Sequence, residues 1–139
     1  MTEKELTCAR ELKTRIRALE WRLQTLREDA AQLVPILDGL PHAQTQKSRI
    51  EELAVKIIAV EEEIATLKEK FVQAAFELDE KIESSTLDAL ERAVINLRYV
   101  ACMNFLDIQG SLQISDATVF YVHRNARKKI LNLIKDISS

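Results

Sequence analysis

The run FLDIQGSLQISDATVFYVHRNARKKI, residues 105–130, decides how this chain folds. Phe105, Ile108 and Leu112 recur at three- and four-residue intervals, the spacing of one side of a short helix. Gln113, Ile114 and Ser115 interrupt that spacing, and Thr118, Val119, Val122, Ala126 and Ile130 then line a longer helix. Ser115 and Asp116 stand at its start as cap candidates, because a side-chain oxygen there accepts from the free amides of the first turn. The order is helix, tight turn, helix. In such a motif the second helix enters the major groove of DNA by its N-terminal end.

Working upstream, Leu87, Leu90, Val94 and Leu97 give an amphipathic helix ending near Ala101, and Ser84, Ser85 and Thr86 offer hydroxyls that suit its cap. Residues 84–139 therefore read as one small helix-turn-helix domain. Before it, Leu12, Ile16, Leu19, Leu23, Leu26, Ala30 and Leu33 alternate four and three apart, and so do Ile50, Leu53, Ile57, Val60, Ile64, Leu67, Phe71, Ala74 and Leu78. That alternation keeps an apolar seam on one side of each of two long helices. Pro35, Asp38, Gly39, Leu40, Pro41 and His42 break the chain between them. Residues 1–83 are thus expected to form a coiled-coil helical hairpin with its turn at about 34–48. A parallel dimer of unhairpinned helices satisfies the same heptads.

Val55, Ile58, Val72, Ala75 and Phe76 widen the second stripe beyond what one partner helix covers, which points to a homodimer through the coiled coil. Trp21 reads as a partly buried helix residue, with an interface anchor as the other reading. Glu61, Glu62 and Glu63 read as a solvated face.

Two glycines, two prolines and 5% aromatic residues leave too few turn residues and strand formers for a sheet, so the fold class is all-α. No apolar run reaches the length of a membrane span and the first ten residues lack the order of a secretion signal, which places the chain in the cytoplasm. Cys8 and Cys102 have no ligand spacing and read as ordinary reduced thiols; no metal site and no cofactor is expected. No glycine-rich phosphate loop or nucleophile–base set occurs, so no catalysis is expected. Charge divides unevenly, net −4 over residues 1–83 and net +2 over 84–139. Arg124, Arg127, Lys128, Lys129 and Lys135 follow one another with no acid between them. Such a stripe suits phosphate, although cations are also common near helix C-termini.

Leu97-Arg98-Tyr99-Val100, Phe105, Ile108, Leu112, Ile114-Ser115, Thr118-Val119 and Arg124 through Ile130 resemble region four of bacterial sigma factors. With the Leu40-Pro41-His42 turn, Leu53-Ala54-Val55-Lys56-Ile57 and the acidic coiled coil, most of the chain resembles phage-encoded transcriptional activators of the RinA type. The resemblance implies that Ser115 and Thr118 cap the recognition helix and touch phosphate. It also implies that Asp116, Ala117, Phe120, Tyr121 and Arg124 face the groove, and that Arg127 and Lys128 lie towards the DNA backbone. Ile108, Leu112, Val119, Val122, Ala126 and Ile130 would form the small core, with His123 packed beside it. A contact with RNA polymerase is implied as well.

The chain departs from that pattern at four places. Gln109 stands where an alanine is usual, Gln113 where the turn glycine is usual, and Phe120 and Tyr121 where basic residues are common. Those two aromatics either stack against DNA or bury against the coiled coil or a second subunit. The function expected is a DNA-binding activator of phage or prophage genes in a bacterial cell, assisting polymerase at double-stranded promoter DNA. The alternative is a coiled-coil adaptor whose altered motif binds protein.

Overall fold

The computed structural model describes residues 1–33 and 43–138. Among them are α1 (Glu3–Leu33), α2 (Ala43–Glu83), α3 (Ala89–Ile95), α4 (Phe105–Leu112) and α5 (Asp116–Ser138). A π-helical turn, Asn96–Val100, continues α3. No strand occurs among the described residues, and the all-α class with long N-terminal helices holds. The breaker residues from Pro35 to His42 lie outside the described residues. Residues 43–48, expected in the turn, are already helical, in keeping with helix formers such as Ala43, Gln44 and Lys47.

Two compact units are present, one of residues 14–69 and one of residues 1–13 with 70 onward. In the first, Ile16, Leu19 and Leu23 of α1 and Val60 and Ile64 of α2 are buried. Leu26, Ala30, Leu33, Ile50, Leu53, Ile57 and Leu67, the rest of the seam within this unit, are half-buried. Glu20 pairs with Lys68 at 3.7 Å and Arg27 with Glu61 at 3.1 Å, so positions rise along α1 as their partners fall along α2. The pairing is antiparallel and intramolecular. Exposed ion pairs of this kind contribute roughly 0–1 kcal/mol each, so the seam holds the helices together. Outside the seam, Val55 and Ile58 are exposed, and Trp21 is 72% exposed. The partly buried tryptophan expected from the sequence is corrected: at position 21 the ring falls opposite the Leu19–Leu23 seam, where α2 does not reach.

Among its described residues the second unit has two core clusters. One joins Met1 and Leu6 of the N-terminal segment to Leu78 and Ile82 of α2, Leu87, Ile95, Tyr99, and Ala126 and Ile130 of α5. The other centres on Val94, Ile108 and Val119, flanked by Leu97, Phe105, Leu112, Ile114 and Val122. Adjacent residues of α3, Val94 and Ile95, thus serve different cores, both with 0% exposure. Counting heptads assigns residues 1–13 and 70–83 to the hairpin; in the structure they pack with the helices that follow residue 84.

The cap of α3 differs from expectation. Ser84 and Ser85 donate to the carbonyls of Lys81 and Ile82 and so close α2 instead. Asp88 is the cap: its carboxylate accepts from the Glu91 amide at 2.8 Å, while the Glu91 carboxylate accepts from the Asp88 amide at 3.1 Å. This reciprocal arrangement satisfies two otherwise free donors. The Glu91 amide is also the first cause of the lowered pKa of Asp88.

Candidate nucleic-acid interface

The helix-turn-helix is built from α4, residues 113–115 and α5. Asn104 starts α4, its side chain accepting from the Asp107 amide at 2.8 Å. Gln113 ends it in the left-handed region, φ 56° and ψ 47°, with its amide on the Gln109 carbonyl. Glycine reaches that conformation without steric cost; here a glutamine takes it. The turn is therefore made in the ordinary way despite the missing glycine. Gln109, the other departure, extends across it: its side-chain amide donates to the Asp116 carboxylate. A residue too large for close helix approach becomes a strap between α4 and the first turn of α5.

Ser115 caps α5, accepting from the Thr118 amide at 3.2 Å and lying 2.8 Å from the Thr118 hydroxyl. Val119 points inward with 0% exposure, and Ala126 and Ile130 follow on the same side. At 100° per residue, the face away from the core carries Ala117, Tyr121, Arg124 and Lys128, with Phe120 at one edge and the half-buried Asn125 at the other. Ala117, Phe120, Tyr121, Arg124 and Lys128 are exposed, Phe120 by 48% and Tyr121 by 66%. Asp116 and Arg127 lie to one flank of that face.

The basic run is only partly available. Arg127 pairs with Glu3 of α1 and is largely covered, its side chain 29% exposed. Lys129 donates to the buried carboxylate of Glu91 at 2.9 Å, and that hydrogen bond raises the lysine pKa. Arg124 and Lys128 make no ion pair among the described residues. Phe120, His123, Arg124, Arg127, Lys128 and Leu131 line an open groove of about 550 Å³ beside them. The side chain of Lys135 lies outside the described residues.

Behind the face, His123 is held between aromatic rings. The Tyr99 ring is 5.7 Å away and stacked, the Phe105 ring 4.9 Å away and edge-on, and the Tyr99 hydroxyl shares a 2.8 Å hydrogen bond with Nε2. Burial first, then the charges of Arg98 and Arg127, push the His123 pKa down to about 4. The ring is neutral at neutral pH and acts as packing. Arg98 lies over the Phe105 ring at 4.0 Å and donates to the Met103 carbonyl at 3.2 Å, fixing the entry to α4.

Of the nine residues expected at the interface, the structure gathers Ala117, Phe120, Tyr121, Arg124 and Lys128 on one open face. Ser115, Asp116 and Thr118 make local bonds at the start of α5, and Arg127 is engaged by Glu3. The Glu3–Arg127 pair has no signal in the sequence, since 124 positions separate the partners. The Asp88–Glu91 box had one, a carboxylate followed three residues later by glutamate.

Residues 42–132 match the model of a family described as "Protein of unknown function (DUF1492)". The match spans more than half of the chain, from α2 into α5, and the chain belongs to that family. No curated protein and no solved structure matches it. Among the described residues no helix is long and apolar enough to cross a membrane, and no cluster of side chains is arranged to hold a metal ion.

Proposed function

We propose that this protein is a DNA-binding transcriptional regulator that docks the open face of α5 in the major groove of promoter DNA. The observation that carries the reading is that face: a capped helix after a tight turn, presenting Arg124 and Lys128 without an ion pair among the described residues while its opposite side forms the core. The sequence resemblance to sigma region four and to RinA-type activators supports a phage or prophage activator that contacts RNA polymerase and catalyses nothing. The bare apolar residues Val55, Ile58, Val72 and Phe76 of α2 support self-association through the coiled coil in the cytoplasm of a bacterial host.

A second reading, an adaptor that binds protein through the same surfaces, is favoured by the exposure of Phe120 and Tyr121 beside the cations. Salt separates the two. Phosphate contacts release counterions, and affinity then falls with salt by a slope of about 0.9 per phosphate neutralised. The test measures binding to duplexes from the protein's genomic neighbourhood and to scrambled duplexes at two salt concentrations. Sequence-preferring, salt-sensitive binding is expected. Arg124→Ala should cost roughly 1–3 kcal/mol at a base contact, and Lys128→Ala should lower the salt slope by about one. A folded protein that binds no duplex at low salt would make the adaptor the better reading.

A further inference from the structure

The two paired cations of α5 are held in different ways, and the difference gives the first turn of α1 a role in binding; this inference rests on the DNA-binding reading above. Lys129 holds Glu91, whose side chain is 7% exposed and whose carboxylate also accepts from the Asp88 amide at the cap of α3. A carboxylate enclosed in this way is costly to leave without its partner. Arg127 holds Glu3, whose side chain is 56% exposed. An ion pair with one partner in water contributes little and is readily exchanged. The pairing also leaves the guanidinium short of bonds, because Nη1 of Arg127 is buried and has no hydrogen-bond partner among the described residues.

Glu3 is carried to α5 by a segment that is fixed at other points. Leu6 is buried with Leu78 and Ile82 of α2 and with Ala126 and Ile130 of α5, and Ala9 is buried as well. Glu5 pairs with Lys81 at 3.2 Å, and Arg10 donates to the carbonyls of Arg98 and Met103, each at 3.4 Å. With these anchors the start of α1 stays docked without the bond to Arg127. What Glu3 adds is a carboxylate on one of the three cations of a single groove, where Arg127 lies beside Arg124 and Lys128. A carboxylate and a phosphate offer a guanidinium the same charge-assisted contact through their oxygens.

We propose that Glu3 occupies Arg127 in place of a DNA phosphate, and that binding a duplex exchanges the carboxylate for a phosphate oxygen. Glu3 is then a built-in competitor for one backbone contact. It lowers affinity for every duplex by the same factor, since phosphates carry no sequence information, and leaves the reading of bases to the rest of α5.

The experiment measures the affinity of the full chain for a genomic and a scrambled duplex, with Glu3→Gln, Arg127→Gln and the two combined, urea midpoints checking that each variant is folded. Glu3→Gln keeps the shape of an exposed side chain and removes its charge. It should tighten binding to both duplexes by about two- to fivefold, as expected from the release of an exposed ion pair. In the Arg127→Gln background the same substitution should change nothing. Glu3→Asp keeps the charge with a shorter reach and gives a second reading that leaves Arg127 untouched: binding should tighten as Arg127 is released, whereas repulsion by charge alone predicts no change. Glu3→Gln without effect, or with an effect that persists in the Arg127→Gln background, overturns the exchange and leaves DNA binding standing. A folded protein that binds neither duplex at low salt, with or without Glu3, overturns both.

Discussion

Among the described residues of the 14–69 unit the buried side chains are Ile16, Leu19, Leu23, Val60 and Ile64, set at heptad spacing on two helices. The unit of residues 1–13 and 70 onward buries between one and three described residues from each helix, with no common repeat, and relies on two left-handed residues, Cys102 and Gln113, to aim its short helices. The first is a repeating contact in which each layer resembles the next. The second is a set of unlike contacts, each made once. Burial per position is also shallower in the hairpin, where most seam residues keep partial contact with water. A repeating seam spreads a local loss over neighbouring layers; a core made of unlike contacts has no spare layer to take it up.

The largest effect expected from this difference is on stability. Ile108, with 0% exposure, sits at the centre of the helix-turn-helix core with Val94 and Val119. Ile108→Ala should cost about 2–5 kcal/mol by lost burial plus the cavity left behind. Leu67→Ala, at a half-buried seam position, should cost clearly less, about 1–2 kcal/mol. Urea denaturation of the two variants measures both. Equal losses would show the hairpin packed as tightly as the C-terminal unit and would end the contrast.

A second effect should separate the units by pH. The chain has histidines at 42 and 123, and His123 is the one within the described residues, its pKa lowered to about 4 by burial and by Arg98 and Arg127. Unfolded, it would titrate near 6.5. The unfolded state therefore binds the proton first as pH falls. Stability from this group is fully present above about pH 6.5 and is lost progressively down to about pH 4. Allowing for its partial exposure, the loss should be about 1–2 kcal/mol. His123→Gln keeps a polar partner for Tyr99 without the titration. Its stability should fall less between pH 7 and pH 4.5 than that of the original protein, with carboxylate contributions cancelling in the difference. Identical slopes in the two proteins would mean that the ring charges in place without cost.

The two units were also unequally legible in the sequence. Heptad spacing named each buried residue described in the 14–69 unit, because a seam is a local pattern repeated often enough to be read. The same spacing was silent on Leu6, Ile82 and Glu3, which are placed by contacts far along the chain. The order of α4, turn and α5 was readable from apolar spacing and from Ser115. That Arg127 and Lys129 are occupied was not, since Glu3 and Glu91 meet them only after folding. Gln109 and Gln113 were legible as departures but not as to their effect: a side chain that breaks a family pattern shows its own geometry only when its partners are in place.

Gln113 gives the smallest effect and the finest test of that last point. Its φ of 56° lies where a side chain other than that of glycine or asparagine is disfavoured, and the residue is exposed, so its side chain contributes little packing in return. Gln113→Gly removes the clash between Cβ and the backbone that the left-handed conformation imposes, and it also gives the unfolded chain more freedom. The first term exceeds the second at a helix end in this conformation, which is why glycine dominates such positions. The substitution should stabilise the C-terminal unit by roughly 0.5–1 kcal/mol, read as a higher denaturation midpoint. It should leave the hairpin unit unchanged. A loss of stability would show that the Gln113 side chain makes a contact stronger than the strain it bears, and that the turn depends on this glutamine for more than its backbone.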